Sequence, residues 1–265
     1  MPSLVGSEMC IRDSFRPGAP ALCGDLDPPQ PLLDKARELG CPFFLRGRDF
    51  DLGVTDQHWQ WRGLDAQGKP VELQDLPLLD LPMENAALAL QAYLLTGLPW
   101  QPERISAALR QTRVTGRLDR RQVDWQGKRL NLLLDVGHNP HAAQYLAERL
   151  ARRPVPGKRL AVFGLLADKD LEGVIGCLKG AVRHWAVAPL DTPRARPVED
   201  LQQALENLGA PVASYSSVAA ALEAQCAQAT ADDEILLFGS FYCVAEALEW
   251  LARRSTEEAA HGNAG

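Results

Sequence analysis

Three short segments of the chain hold the side chains that could do chemistry. The first, Asp135-Val136-Gly137-His138-Asn139-Pro140-His141, directly follows the apolar run Leu132–Leu134. Asn139 suits a helix N-cap and Pro140 the first helical position, which would aim the backbone amides beyond them at a ligand. The Asp135 carboxylate can accept from a ribose hydroxyl or an ammonium, and the His138 imidazole can hydrogen-bond a carboxylate or phosphate. Both side chains can equally satisfy backbone groups of the turn itself. The second segment, Gly164-Leu165-Leu166-Ala167-Asp168-Lys169-Asp170, puts a lysine near the start of a helix. Asp168 and Asp170 complement the dipole there, whereas the Lys169 charge opposes it. A bound anion would offset that charge, so Lys169 is a candidate catalytic residue. The third is Gly239-Ser240-Phe241-Tyr242, where Ser240 can cap the last helix.

These segments need elements to hold them. After Arg113 the apolar runs Leu132–Leu134, Leu160–Phe163, Trp185–Ala188, Val212–Tyr215 and Ile235–Phe238 alternate with helical patterns such as Ala143/Leu146/Ala147/Leu150 and Leu171/Val174/Ile175/Leu178. Repeated strand–helix alternation means an α/β fold with a doubly wound, mostly parallel sheet. In such sheets ligands bind beyond the carboxyl ends of the strands, where all three segments fall. An added strand, Gln122–Trp125, should pair with the first run through the Gln126-Gly127 turn. Phe15–Arg113 is mixed: a helix over Pro31–Leu39, a strand at Pro42–Leu45, a hairpin around Asp65-Ala66-Gln67-Gly68, then helices over Met83–Leu95 and Gln101–Gln111. The first of these two helices is apolar almost all round and is expected to be buried. The boundary is placed near Val114–Gly116. Residues 1–14 show no periodicity and are read as a non-native leader, and 255–265 as a frayed, disordered tail.

Composition narrows the function classes. The 34 acidic against 28 basic residues give a net charge of −6, which argues against a nucleic-acid partner. No apolar run reaches the roughly 18–20 residues of a membrane span. The six cysteines are scattered singly, so neither a disulfide framework nor a zinc site is expected, and the cytoplasm is the default. There is no G-x-G-x-x-G after the first strand of the second half and no G-x-x-x-x-G-K-S/T anywhere.

In Asp135–His141 the wording D-V-G-H-N-P-H resembles the D-V-A-H-N-P-H-A hallmark of the folylpolyglutamate synthase/dihydrofolate synthase family of the Mur ligase superfamily; Gly137 replaces the usual alanine. Further matches follow in order. Asn85-Ala86-Ala87-Leu88-Ala89-Leu90 resembles the family's N-A-A-x-A-L helix, and Thr115-Gly116-Arg117-Leu118 its P-G-R-F/L linker. Phe163–Asp170 resembles its G-x-L-x-D-K-D segment, and Gly239–Ala245 its G-S-F-x-x-V-A ending. The resemblance covers roughly Phe15 to Arg253.

The resemblance implies an ATP-dependent amide ligase. ATP and Mg2+ would activate a carboxylate of folate or dihydropteroate as an acyl phosphate, which the amine of L-glutamate attacks. Asn85, Arg117 and Asp135 match ATP-binding positions, and His138 and Ser240 positions near the incoming glutamate. Residues 15–113 would then be the closing part of a central ATP-binding domain, and 114–254 a C-terminal Rossmann-like domain. The family's P-loop and metal ligands lie upstream of anything in this chain, which therefore reads as a C-terminal fragment, inactive alone and monomeric. A cell-wall precursor ligase of the same superfamily and a non-catalytic α/β binding module are the alternatives.

Overall fold

The structure is a computed structural model that describes Phe15 to Gly262, with side chains to Arg254; the leader predicted over residues 1–14 lies outside the described residues. The chain forms two compact units that part between Thr112 and Arg113.

The first unit opens with β1 (Ala21–Cys23), α1 (Gln30–Glu38) and β2 (Phe43–Leu45), the two strands pairing in parallel. Then β3 (Asp51–Val54), β4 (His58–Leu64) and β5 (Pro70–Pro77) make an antiparallel sheet, with α2 (Met83–Leu95) and α3 (Pro102–Gln111) after it. The predicted hairpin is β4–β5. Its Asp65 side chain accepts from the Gln67 and Lys69 amides, and Gly68 sits at φ +78°. Strand β4 alternates, so Trp59 and Trp61 point into a core with Phe50, Leu73, Leu76, Ala87, Leu90 and Ile105. The Trp61 indole donates to the Ala87 carbonyl at 3.0 Å and so ties the sheet to α2.

Helix α2 corrects the sequence reading. It buries only Ala87, Leu90 and Gln91, while Ala89 and Ala92 are exposed. Its exposed apolar positions, Ala89 and Ala92, are alanines, and exposing a methyl group costs little. The periodicity therefore overstated its burial.

The second unit is one six-stranded sheet: β6 (Asp119–Trp125), β7 (Lys128–Asp135), β8 (Arg159–Phe163), β9 (His184–Val187), β10 (Val212–Ser214) and β11 (Glu234–Phe238), in the order β10-β9-β8-β11-β7-β6. Strands β7 to β11 run parallel, and β6 pairs antiparallel with β7 through the Gln126-Gly127 turn. This is the predicted doubly wound fold. Helices α4 (Pro140–Arg152), α5 (Leu171–Leu178) and α6 (Val198–Asn207) cover one face, and α7 (Val218–Gln228) and α8 (Phe241–Gly262) the other. The β7 side chains divide accordingly, Leu133 towards the first core and Leu132 and Leu134 towards the second.

Helix α8 runs past Arg254 to Gly262, so the frayed tail predicted from Ser255 is corrected over those eight residues. The stretch S-T-E-E-A-A-H-G is rich in helix-forming Glu and Ala, which lets the helix continue. Its body is fixed by aromatic packing. The rings of Trp125 and Trp250 lie 5.9 Å apart, and the Arg254 guanidinium carbon is 4.0 and 5.0 Å from their centroids. Among the described residues no helix is long and apolar enough to cross a membrane.

Strand β11 sits between β7 and β8, which are joined in sequence by a crossover through α4. Strand order reverses there, and a crevice opens at the carboxyl ends. Gly239, at φ +114°, makes the turn out of β11, and a Cβ on it would collide with the Gly164 carbonyl oxygen. Gly176, exposed on α5, has open space around it. Gly239→Ala is expected to destabilise the protein by about 1–3 kcal/mol, and Gly176→Ala to stabilise it by about 0.5–1 kcal/mol. Denaturant melts of the two variants beside wild type check both signs.

Candidate active site

The carboxyl end of β7 is built around one buried carboxylate. Asp135 is 7% exposed; its Oδ2 accepts from the Leu118 amide at 2.9 Å and its Oδ1 from the Gly137 amide at 2.7 Å. The Val136 amide donates to the Gly116 carbonyl at 2.8 Å, so residues 116–118 are laced to the turn after β7. Gly116 stands at φ +70°, and a Cβ there would meet Val136 and Val244 side chains at 3.0 Å. Leu118 takes φ +45° while burying its side chain, a conformation rare for a branched residue. That double constraint turns the Arg117 side chain outward, where it is exposed.

His138 leaves the same turn. Its Nδ1 lies 2.9 Å from the Val136 carbonyl oxygen, which can only accept, so Nδ1 carries the proton of this contact. Asn139 caps α4 by accepting from the Ala142 amide at 2.8 Å, with Pro140 as the first helical residue. On the neighbouring strand, Ser240 is 2% exposed, and its hydroxyl accepts from the Cys243 amide at 2.9 Å. Ser240 is thus the cap of α8. The next residue, Phe241, is 62% exposed; its ring centroid is 5.8 Å from the Arg117 guanidinium carbon and 6.4 Å from the His138 ring.

Arg117, Asp135, His138 and Ser240 therefore gather at adjoining strand ends, through two helix N-termini and one inter-segment loop. Asn85 belongs to the first unit, exposed on the first turn of α2. Lys169 differs from expectation. Its Nζ is 2.8 Å from Asp168 Oδ2, and Arg194 reaches Asp168 Oδ1 at 3.0 Å. Lys169 and Arg194 together hold the Asp168 carboxyl down at about 2. The cation that opposed the helix dipole finds its counter-ion in its own loop, so no bound anion is needed to explain it. Asp170 caps α5 through the Gly173 amide at 2.9 Å. Phe241 carries no signal in the sequence beyond its place in the third segment, because exposure of an aromatic side chain is set by the turn geometry.

Residues 116–241 match the family model described as Mur ligase, glutamate ligase domain. The dihydrofolate synthase/folylpolyglutamate synthase of Escherichia coli (strain K12) is 39% identical over 242 residues, 91% of this chain and 54% of that protein. The structure of E. coli FolC in complex with DHPP and ADP matches at TM-score 0.78 and 37% identity, covering 94% of this chain and 57% of that one. A bifunctional folylpolyglutamate synthase/dihydrofolate synthase with Mn, AMPPNP and L-glutamate bound matches at TM-score 0.77 and 35% identity, over 92% and 57%. The chain spans about half the length of the curated relatives it matches.

Burial pushes the Asp135 carboxyl above its ordinary range, and the two amides and the Arg117 charge pull it part of the way back. A carboxyl raised in the folded state contributes stability that is fully present below the unfolded value, near 3.8, and lost as pH rises through the raised folded value. Carboxyl titration by NMR is expected to give Asp135 a midpoint above 3.8. Denaturant melts should show that pH-linked loss in wild type and lack it in Asp135→Asn. In sequence and in fold alike, the chain is similar to the folylpolyglutamate synthase/dihydrofolate synthases of the Mur ligase superfamily.

Proposed function

We propose that these residues supply the glutamate-ligating part of an ATP-dependent enzyme that joins L-glutamate to a folate or dihydropteroate. The observation that carries this reading is the meeting of Arg117, the Asp135 turn, His138 and the Ser240 cap at the switch point of the sheet. The relatives solved with ADP, with AMPPNP and Mn, and with L-glutamate support it. In this reading residues 15–113 are the closing part of a central ATP-binding domain and 114–254 the Rossmann-like C-terminal domain, the whole a monomeric cytoplasmic ligase.

Each side chain has a task its chemistry suits. The Arg117 guanidinium, permanently charged and exposed, takes phosphate oxygens in two parallel hydrogen bonds. Asp135 fixes the loop that presents Arg117, and the little acceptor capacity it has left faces the ribose. The lone pair on His138 Nε2 accepts from the glutamate nitrogen, and the α4 and α8 N-termini favour the anionic groups. The glutamate amine attacks the acyl phosphate; the C–N bond forms as the C–O bond to phosphorus breaks, and phosphate leaves with the electron pair. Asn85, on α2, matches an ATP-binding position of the family. Lys169 is kept as a candidate at this edge, paired with the Asp168 carboxylate that Arg194 shares.

The metal is a different matter. Among the described residues there is no group of three His, Cys, Asp or Glu side chains that could hold an ion, so these residues do not fit the Mg2+ this reading calls for. The sequence also holds no P-loop, and turnover requires one.

In a preparation that contains a P-loop domain, radiolabelled glutamate is expected to enter a pteroate acceptor in an ATP-dependent way. Incorporation into a cell-wall precursor instead would overturn the reading. In that preparation Arg117→Ala should lower kcat/KM by an amount equivalent to about 3–4 kcal/mol, the scale of one lost transition-state donor. The melting transition should move by no more than about 0.5 kcal/mol, since the side chain is exposed. Turnover equal to wild type would return Arg117 to a solvated linker charge.

A further inference from the structure

We infer that Phe241 is a positioning residue, whose exposed ring sets Arg117 and His138 in one fixed arrangement. The inference rests on the proposed roles of those two residues in phosphate and glutamate binding.

The placement of Phe241 is unusual for an apolar side chain. It starts α8 directly after the buried Ser240 cap, yet is 62% exposed, so burial of its own surface does not account for its direction. What it meets are two polar groups from separate segments, the Arg117 guanidinium carbon at 5.8 Å and the His138 ring at 6.4 Å and 50°. The first distance is within the reach of a cation–π contact, and the second suits a tilted aromatic pair. The backbone around the ring is stiff. Gly239 is at φ +114° against the Gly164 carbonyl, and the Ser240 cap fixes the first turn of α8.

Arg117 and His138 are each held at the base. The Leu118 and Gly137 amides on Asp135 fix the two backbones, and the Val136 carbonyl fixes the imidazole Nδ1. The guanidinium, by contrast, stands at the end of a long stem with several free torsions, and a single ring narrows them. An aromatic ring does this without offering a lone pair to the guanidinium N–H groups, so it does not compete with phosphate oxygens as a hydrogen-bond acceptor. A carboxylate in its place would occupy those donors. One ring touching both groups also links them, so that ordering Arg117 on a phosphate orders the ring beside His138.

The test compares Phe241→Leu, which keeps apolar bulk, with Phe241→Tyr, which keeps the π-face. In the 265-residue protein, NMR signals of the Arg117 Nε–H and His138 ring protons are read without ligand, then during titration with ADP and with L-glutamate. Both sets are expected to shift in Phe241→Leu and to return towards wild type in Phe241→Tyr, with the melting temperature unchanged in both. ADP and glutamate should each bind about two- to fivefold more weakly to Phe241→Leu, the scale of one exposed cation–π contact. Unchanged Arg117 and His138 signals in Phe241→Leu would overturn the inference, as would Leu serving as well as Tyr. Should wild type bind neither ADP nor glutamate without a P-loop domain, the ligand-free signals of Arg117 and His138 still decide the role of Phe241.

Discussion

The second unit depends on a carboxylate that it is costly to bury. Asp135 closes two backbone segments onto each other, one ending β7 and one seventeen residues earlier, and nothing but its two oxygens reaches both the Leu118 and Gly137 amides. A neutral side chain has fewer acceptor sites to offer two donors, and an apolar one has none. The cost shows in its raised proton affinity, which the nearby Arg117 charge partly offsets. Leu118 at φ +45° and Gly116 at φ +70° are conformations that persist because this clasp holds them. The direction in which Arg117 leaves the chain follows from the same clasp.

Chemistry and anchoring sit at opposite ends of the same strands. At the amino ends of β8 and β11, the buried Arg159 and Glu234 pair at 2.9 Å, and Arg159 also donates to the Arg153 carbonyl. Beside them Asp233 accepts from the Lys158 and Thr230 amides, both at 2.8 Å. These polar groups are spent on one another, tying the amino ends of the strands to the loops beside them. At the carboxyl ends the balance differs: the Arg117 side chain is exposed, and His138 is half-buried and held through Nδ1. A sheet with one end tied and the other presenting side chains is the arrangement that open α/β folds use for ligands.

Much of this was legible in the sequence, for identifiable reasons. The parallel strands were readable because each is a short apolar run followed by a clear helical repeat, as in Leu160–Phe163 before Leu171/Val174/Ile175/Leu178. The caps at Asn139 and Ser240 were readable because a small polar residue precedes each helical pattern. Strands β1 and β3 were not, being three and four residues long with no alternation to mark them. The burial of α2 was overstated because alanine reads as apolar whether or not anything covers it. For Lys169 the pattern shows only a charge against a dipole, while its pairing with Asp168 and the reach of Arg194 from the β9–α6 loop depend on the fold. Phe241 lay in a segment the sequence singled out, yet its contacts join three loops and no local pattern records them.

The two margins of the six-stranded sheet also have a bearing on how the protein behaves in concentrated solution. Any outer strand offers unpaired amides and carbonyls to a second molecule, and long, flat, apolar ones seed fibrils. Here β10 is only three residues long, and β6 carries Asp119, Arg120, Arg121 and Asp124 along its length. Its apolar tip, Trp125, is covered by Trp250 and Arg254 from α8. An incoming strand would find too few bonds at one margin and bulky charges at the other, so the sheet terminates itself and growth by strand addition is discouraged from both sides.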